Sequence, residues 1–270
     1  MTLIDVERIA AAAEAADGAA PLDEATWLEL RHHPDRVRSW TRDDAFALLV
    51  GPDLSVVVHP LVRRQGLGGT LLDEALAEAS GVVRAWSHGD HPGAARLAAT
   101  RGFERVRELW VMRRPATLPL AEVTPREGVT VRGFEAGDEA ELVRVNAAAF
   151  AAHPEQGAMD AANLAERMAQ PWFDPTGLIV AMAGDRMLGF HWTKQHSPSL
   201  GEVYVVGIDP ASQGGGLGKL LTLAGLHHLA SRGVDEVVLY VESDNAPAIA
   251  VYRGLGFTHM DADTHVMYRR

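Results

Sequence analysis

The sequence predicts an α/β chain, of the α+β kind, built from two tandem copies of one domain. Three observations carry this: a β-branched run that enters a glycine-rich turn and then a helix, the return of that unit 150 positions away, and a proline-containing interval between the copies. At 270 residues the chain has room for two domains of roughly 150 residues each.

Taken in order, the periodicity predicts amphipathic helices over Asp5–Ala16 and Asp23–Arg31, followed by extended segments Arg36–Trp40, Ala45–Val50 and Leu54–His59. His59-Pro-Leu-Val-Arg-Arg-Gln-Gly-Leu-Gly-Gly then opens a helix Leu67–Ser80, with a strand Val82–Trp86 after it. The segment from His88 ends at Gly102-Phe103, and a strand Arg105–Met112 closes the first copy. Pro115, Pro119 and Pro125 mark a stiff linker that cannot continue a sheet. The expected division is therefore 1–115, a linker 116–128, and 129–270.

The second copy begins with a strand Val129–Phe134, a helix capped by Asp138 and running to about Ala149, and another helix over Asp160–Met168. A hairpin follows, Gly177–Ala183 turning at Gly184-Asp185 into Met187–Lys194. Val203, Val205, Val206 and Ile208 then form a run suited to a strand covered on both faces. Asp209-Pro-Ala-Ser-Gln-Gly-Gly-Gly-Leu-Gly-Lys repeats the turn of the first copy, with Gln213, Gly216 and Gly218 opposite Arg63, Gly66 and Gly68. After the helix Leu217–Ser231 and the strand Glu236–Val241, the segment Glu242–Phe257 matches His88–Phe103 without a gap.

Such a turn is suited to an anion, because glycines let the backbone approach a ligand and the helix presents unpaired N–H groups at its positive end. It is not a Walker A loop, since Leu220 follows Lys219 where a hydroxyl is needed, and it lacks the acidic residue of a dinucleotide fold. Gln213-x-x-Gly216-x-Gly218 resembles the coenzyme A pyrophosphate loop of the GNAT superfamily of N-acetyltransferases. Asn245, Ala248, Tyr252, Gly256 and Phe257 follow in that family's order. The resemblance implies a mixed, mostly antiparallel sheet flanked by helices in each copy, with a splayed-strand cleft for acetyl-CoA. The coenzyme contacts it implies are Val206, Gly207, Ile208, Gln213, Gly214, Gly215, Gly216, Leu217, Gly218, Lys219, Asn245 and Ala248. In the first copy they are Val56, Val57, Val58, Arg63, Arg64, Gln65, Gly66, Leu67, Gly68 and Gly69.

Moving an acetyl group from a thioester to an amine requires a base for the ammonium, polarisation of the carbonyl and a proton for the thiolate. The second copy offers Glu202, the backbone of Val206 to Ile208 where the strand splays, and Tyr252. Pro52 stands opposite Glu202 and Ala98 opposite Tyr252, so the first copy keeps the cradle and lacks both base and acid.

Gly189–Lys194, Leu200–Gly207 and Leu239–Asn245, in a pair whose second copy alone has these groups, resemble the mycothiol synthase family of actinobacteria. That resemblance implies acetylation of the cysteinyl amine of cysteinyl-glucosaminyl-inositol. It implies substrate contacts at Glu24, Glu155, Lys194, Glu202 and Tyr240. Gly214-Gly215 stand where the family usually carries a basic pair. A GNAT enzyme for another amine, such as an aminoglycoside or peptide N-terminus, and an acetyl-CoA sensor without turnover are the alternatives.

Composition narrows the partners. A net charge of −11 argues against nucleic acid and anionic membrane and suits a cationic small substrate. With no cysteine, no disulfide or protein thiol chemistry is available. The absence of a signal-like start and of a long apolar run points to the cytoplasm, and a monomer is expected. His153, His191 and His196 lack metal-ligand spacing, so no metal is expected.

Overall fold

The computed structural model describes residues 2–151 and 156–270, except for the side chains of 261 and 262. The expected substrate residue Glu155, like His153, lies outside the described residues. The chain forms two compact units, Met1–Trp110 together with Met260–Arg270, and Val111–His259. These boundaries differ from those of the repeat, because two long strands each pass from one unit into the other.

In the first unit, helix α1 (Leu3–Asp17) starts from a capping box between Thr2 and Asp5 and stops at Gly18, whose φ is 75°. Asp23 caps α2 (Glu24–His32) by accepting from the Thr26 amide at 2.7 Å. Strands β1 (Val37–Arg42), β2 (Ala45–Val50) and β3 (Asp53–Val58) form an antiparallel meander. The five residues 45–49 of β2 are all buried because both faces are covered. Ala45, Ala47 and Leu49 pack with Leu71, Leu72 and Ala75 of α3 (Leu67–Glu78), while Phe46 and Leu48 pack with Val6, Ile9 and Ala13 of α1. Beyond them lie β4 (Arg84–Ser87), α4 (Pro92–Thr100) and β5 (Glu104–Pro115).

The last strand of the unit comes from the far end of the chain. In β11 (Thr258–Arg269), Val266 to Arg269 pair antiparallel with Ser87 to Arg84, and Val266 and Tyr268 enter the same core as Leu49 and Leu71. Conversely, the end of β5 belongs to the second unit, so the expected Arg105–Met112 strand runs three residues further and does not simply close the first copy.

The second unit carries β6 (Thr130–Gly133), α5 (Glu139–Ala149), α6 (Ala161–Met168), the hairpin β7 (Leu178–Ala183) with β8 (Arg186–Gln195), β9 (Leu200–Ile208), α7 (Leu217–Ser231), β10 (Glu236–Glu242) and α8 (Ala246–Gly254). Its strands lie in the order β10-β9-β8-β7-β6, with β9 parallel to β10 and the rest antiparallel. Leu178, Val180 and Met182 face α5 and α6, whereas Ile179 and Ala181 face Leu217 and Leu221 of α7. Asp138 precedes α5 as expected but does not cap it. Its carboxylate instead accepts from Arg132 at 2.7 and 2.9 Å.

The linker is tied to this unit by a buried arginine. Arg114 is 1% exposed and donates to the carbonyls of Pro115, Leu118, Pro119 and Leu255. A guanidinium surrounded by carbonyls has its donors satisfied without a counter-charge, which fixes the chain after β5 against the C-terminal end of α8.

One buried residue gives the fold an acid sensitivity. His191 on β8 is fully buried, donates Nδ1–H to the Leu221 carbonyl at 2.9 Å, and fits only because residue 225 is glycine. Burial lowers its pKa from 6.5 to about 4. The folded ring stays neutral while the unfolded chain takes up a proton below pH 6.5, so stability falls as pH drops through that window. The full loss is about 3 kcal/mol at 1.36 kcal/mol per unit. Urea midpoints at pH 7.5 and 5 should therefore separate more in the parent than in His191→Gln. Equal separations would remove the ring from the acid response.

Candidate active site

Glu202 and Lys194 face each other in register across the β8–β9 pair. Both are buried, at 6% and 8% exposure, which is unusual for either residue type without a function or a partner. The pairing skips one residue just beyond them. Trp192 pairs with Val205 and Thr193 with Val203, leaving Tyr204 as the extra residue of a β-bulge.

On its other edge, β9 pairs with β10 from Leu200 opposite Glu236 to Val203 opposite Leu239. There the register ends, although β9 continues to Ile208 and β10 to Glu242. The two parallel strands thus splay beside Glu202. The edge of Val206, Gly207 and Ile208 along this gap is where backbone groups are free to serve a ligand.

Polar partners define the base. Glu202 Oε2 lies 2.6 Å from His196 Nε2, in the hairpin between β8 and β9. His196 was not expected at the site from sequence, and it leaves one carboxylate oxygen of Glu202 for other work. Lys194 Nζ sits 4.6 Å from the Trp172 ring centroid and 5.1 Å from that of Tyr204, an aromatic seat for a cation. Tyr204 Oη in turn accepts from Arg167 at 2.9 Å. Tyr240 stands on β10, two residues past the partner of Glu202, and is 46% exposed.

The cradle follows directly from β9. Asp209 accepts from Arg144 at 2.8 Å, from Arg186 at 3.0 Å and from the Ala211 amide at 3.0 Å, and these donors hold its carboxyl down at about 2. That anchors the turn Pro210–Ser212. Gly214 has φ 83° and Gly216 φ 76°, conformations that favour glycine, and Gly216 begins α7 with no side-chain cap. The first amides of α7 are therefore available to an anion, and the space over Gly216 is open for at least 4 Å around a notional Cβ. The residues present fit a pyrophosphate.

Past β10, Asn245 caps α8 by accepting from the Ala248 amide at 3.2 Å. This uses the side-chain oxygen of one expected coenzyme residue and the backbone of the other. Tyr252 lies further along α8, its ring edge-on to Phe257 at 5.9 Å. The residue is half-buried by exposed area, yet the protein packed around its phenol pushes the pKa up to about 12.

The first unit repeats the cradle residue for residue. The turn Pro60–Val62 matches Pro210–Ser212, Arg64 has φ 65° where Gly214 has 83°, and Gly66 has φ 88° where Gly216 has 76°. Gly66 likewise opens α3 uncapped. Strands β3 and β4 pair in parallel at Asp53 opposite Arg84, one residue beyond Pro52. Arg63 departs from expectation in its side chain, which forms a bidentate ion pair with Asp17 at 2.7 Å and donates to the Val58 carbonyl at 3.0 Å. Ala98 is buried in the core at the Tyr252 position. Glu24 begins α2 in this unit. Among the described residues, no group of three His, Asp or Glu could hold a metal ion, and no helix is long and apolar enough to cross a membrane.

Comparison with known proteins gives the family and the fold. The acetyltransferase (GNAT) family profile matches residues 146–257. A mycothiol acetyltransferase of Nocardioides sp. is 65% identical over 99% of this chain and 97% of its own length. One from Thermomonospora curvata is 49% identical over 98% and 93%. Among solved structures, a tandem GNAT protein from the clavulanic acid biosynthesis pathway has a TM-score of 0.73 at 20% identity, covering 100% of this chain and 94% of that one. A GCN5-related N-acetyltransferase from Sphaerobacter thermophilus gives 0.71 at 23% identity, covering 98% and 91%. At those identities the two structures speak for the fold alone.

Proposed function

This chain belongs to the mycothiol acetyltransferase family, and from that premise we propose that its second copy moves the acetyl group of acetyl-CoA to the cysteinyl amine of cysteinyl-glucosaminyl-inositol. The observation that carries the reading is the buried Glu202, in register with Lys194 and beside the splayed strands. The coenzyme, when bound, supplies an acetyl thioester. Backbone amides of the 213–219 loop and the start of α7 would hold its pyrophosphate.

Glu202 takes the proton from the acceptor ammonium, with His196 fixing its other oxygen. Amides along the open edge of Val206 to Ile208 offset the negative charge that develops on the carbonyl oxygen. Tyr252, whose raised pKa keeps the phenol protonated across the working range, gives a proton to the departing sulfur. Lys194 and Tyr240, with Glu24 and Glu155, would orient the pseudodisaccharide. The first copy, with Pro52 and Ala98 in place of base and acid, binds coenzyme without turnover.

Thiol release from acetyl-CoA against a panel of amines tests the substrate. Release with cysteinyl-glucosaminyl-inositol and none with aminoglycosides or peptides is expected, and the reverse preference would overturn the assignment. For the acid, Tyr252→Phe should slow transfer about 10²-fold with the natural thioester and much less with an activated thioester whose thiol leaves as an anion unaided. Should both donors slow equally, the ring serves packing against Phe257 and not proton transfer.

A further inference from the structure

We propose that Arg126, in the linker before β6, is a phosphate ligand for the coenzyme in the second copy, replacing in space the side chains that Gly214 and Gly215 lack. A Cβ added to Gly215 would come within 2.7 Å of Arg126 Cζ and 3.1 Å of Nη2, and closer still to Nη1. The guanidinium therefore occupies the space over the bare backbone of the cradle, with its Nη1 end nearest Gly215. Among the described residues it has no hydrogen-bond or ion-pair partner.

Electrostatics makes this placement informative. The uncapped N-terminus of α7 carries the positive end of the helix dipole, and its first turn also holds Lys219 with no acidic residue. A guanidinium without a counter-ion gains nothing from such a neighbour. It gains when an anion sits between the two, and a planar fork beside open amides matches the bidentate geometry of a phosphate. The internal repeat agrees, since the first copy keeps Arg64-Gln65 at the positions of Gly214-Gly215. Any side chain at 215 would displace Arg126, so the glycine and the arginine form one device. The Val129 amide donates to the Arg126 carbonyl at 3.0 Å, which holds the residue at the start of β6.

This inference rests on the coenzyme reading above, and its test separates the two. Arg126→Ala should raise KM for acetyl-CoA about ten-fold or more, with kcat unchanged, and weaken acetyl-CoA binding measured by calorimetry without acceptor. Arg126→Lys, which keeps the charge and loses the fork, should fall between. With 3′-dephospho-acetyl-CoA, the same loss assigns the contact to the pyrophosphate, and a vanished loss assigns it to the 3′-phosphate. Gly215→Ala is allowed by its backbone and should weaken binding by displacing the guanidinium, with no further loss when combined with Arg126→Ala. Parent protein that fails to bind acetyl-CoA would overturn the coenzyme reading. Parent that binds, beside an Arg126→Ala variant with equal KM and affinity, would overturn this proposal alone.

Discussion

Glu202→Gln is expected to cut turnover by about 10²-fold or more while leaving acetyl-CoA affinity close to that of the parent, since a positioned general base contributes about 10² to 10⁴. The amide preserves the volume of the buried side chain and removes the proton acceptor. It can still meet His196, now 2.6 Å from Oε2, through its amide oxygen, so the hairpin has little reason to move. The decisive measurement is single-turnover transfer across pH, in which the parent should lose rate on the acid side and the variant should stay slow throughout. Full activity at every pH would take Glu202 out of the chemistry, whatever its burial.

The second large effect separates the copies. Gly216→Glu should abolish turnover, while Gly66→Glu should remove one binding event and spare most of the rate. Both glycines have φ near 80°, at 76° and 88°, and at both a Cβ would meet open space. The strain of a non-glycine residue there is about 1–2 kcal/mol in each case. What differs is the chemistry downstream, because the added carboxylate lies where the pyrophosphate belongs beside Glu202 and Tyr252 in one unit, and beside Pro52 and Ala98 in the other. Gly216→Ala and Gly66→Ala carry the strain without the charge and serve as controls. If Gly66→Glu stopped catalysis with its fold intact, or if the parent bound one equivalent of acetyl-CoA, a coenzyme-only first copy would be wrong.

Local signals made most of the fold and the cradle legible. Glycine positions, β-branched runs and the 150-residue repeat are written in consecutive residues, and the turns at Pro60–Val62 and Pro210–Ser212 appear where the motif places them. Glu202 drew notice in the sequence because it stands just before the continuous β-branched run of β9. Features set by long-range register were not. The bulge at Tyr204 depends on how β8 and β9 align, the His196 contact on how tightly their hairpin closes, and the seat of Lys194 on Trp172 arriving from a separate segment. Asp138 looked like a helix cap because aspartate favours that position, yet Arg132, six residues earlier and 2.7 Å from the carboxylate, offers a stronger, charged partner. The course of β5 and β11 left no trace in composition or periodicity, as a strand reads alike whichever sheet receives it.

The course of β11 also bears on how the protein is made. A ribosome delivers residues 260–270 after all the rest of the first unit, so Leu49, Leu71 and their neighbours wait for Val266 and Tyr268 until synthesis has passed through the whole second copy. The first unit therefore cannot mature during its own translation, and a gene cut in the linker would yield two fragments that each lack a strand.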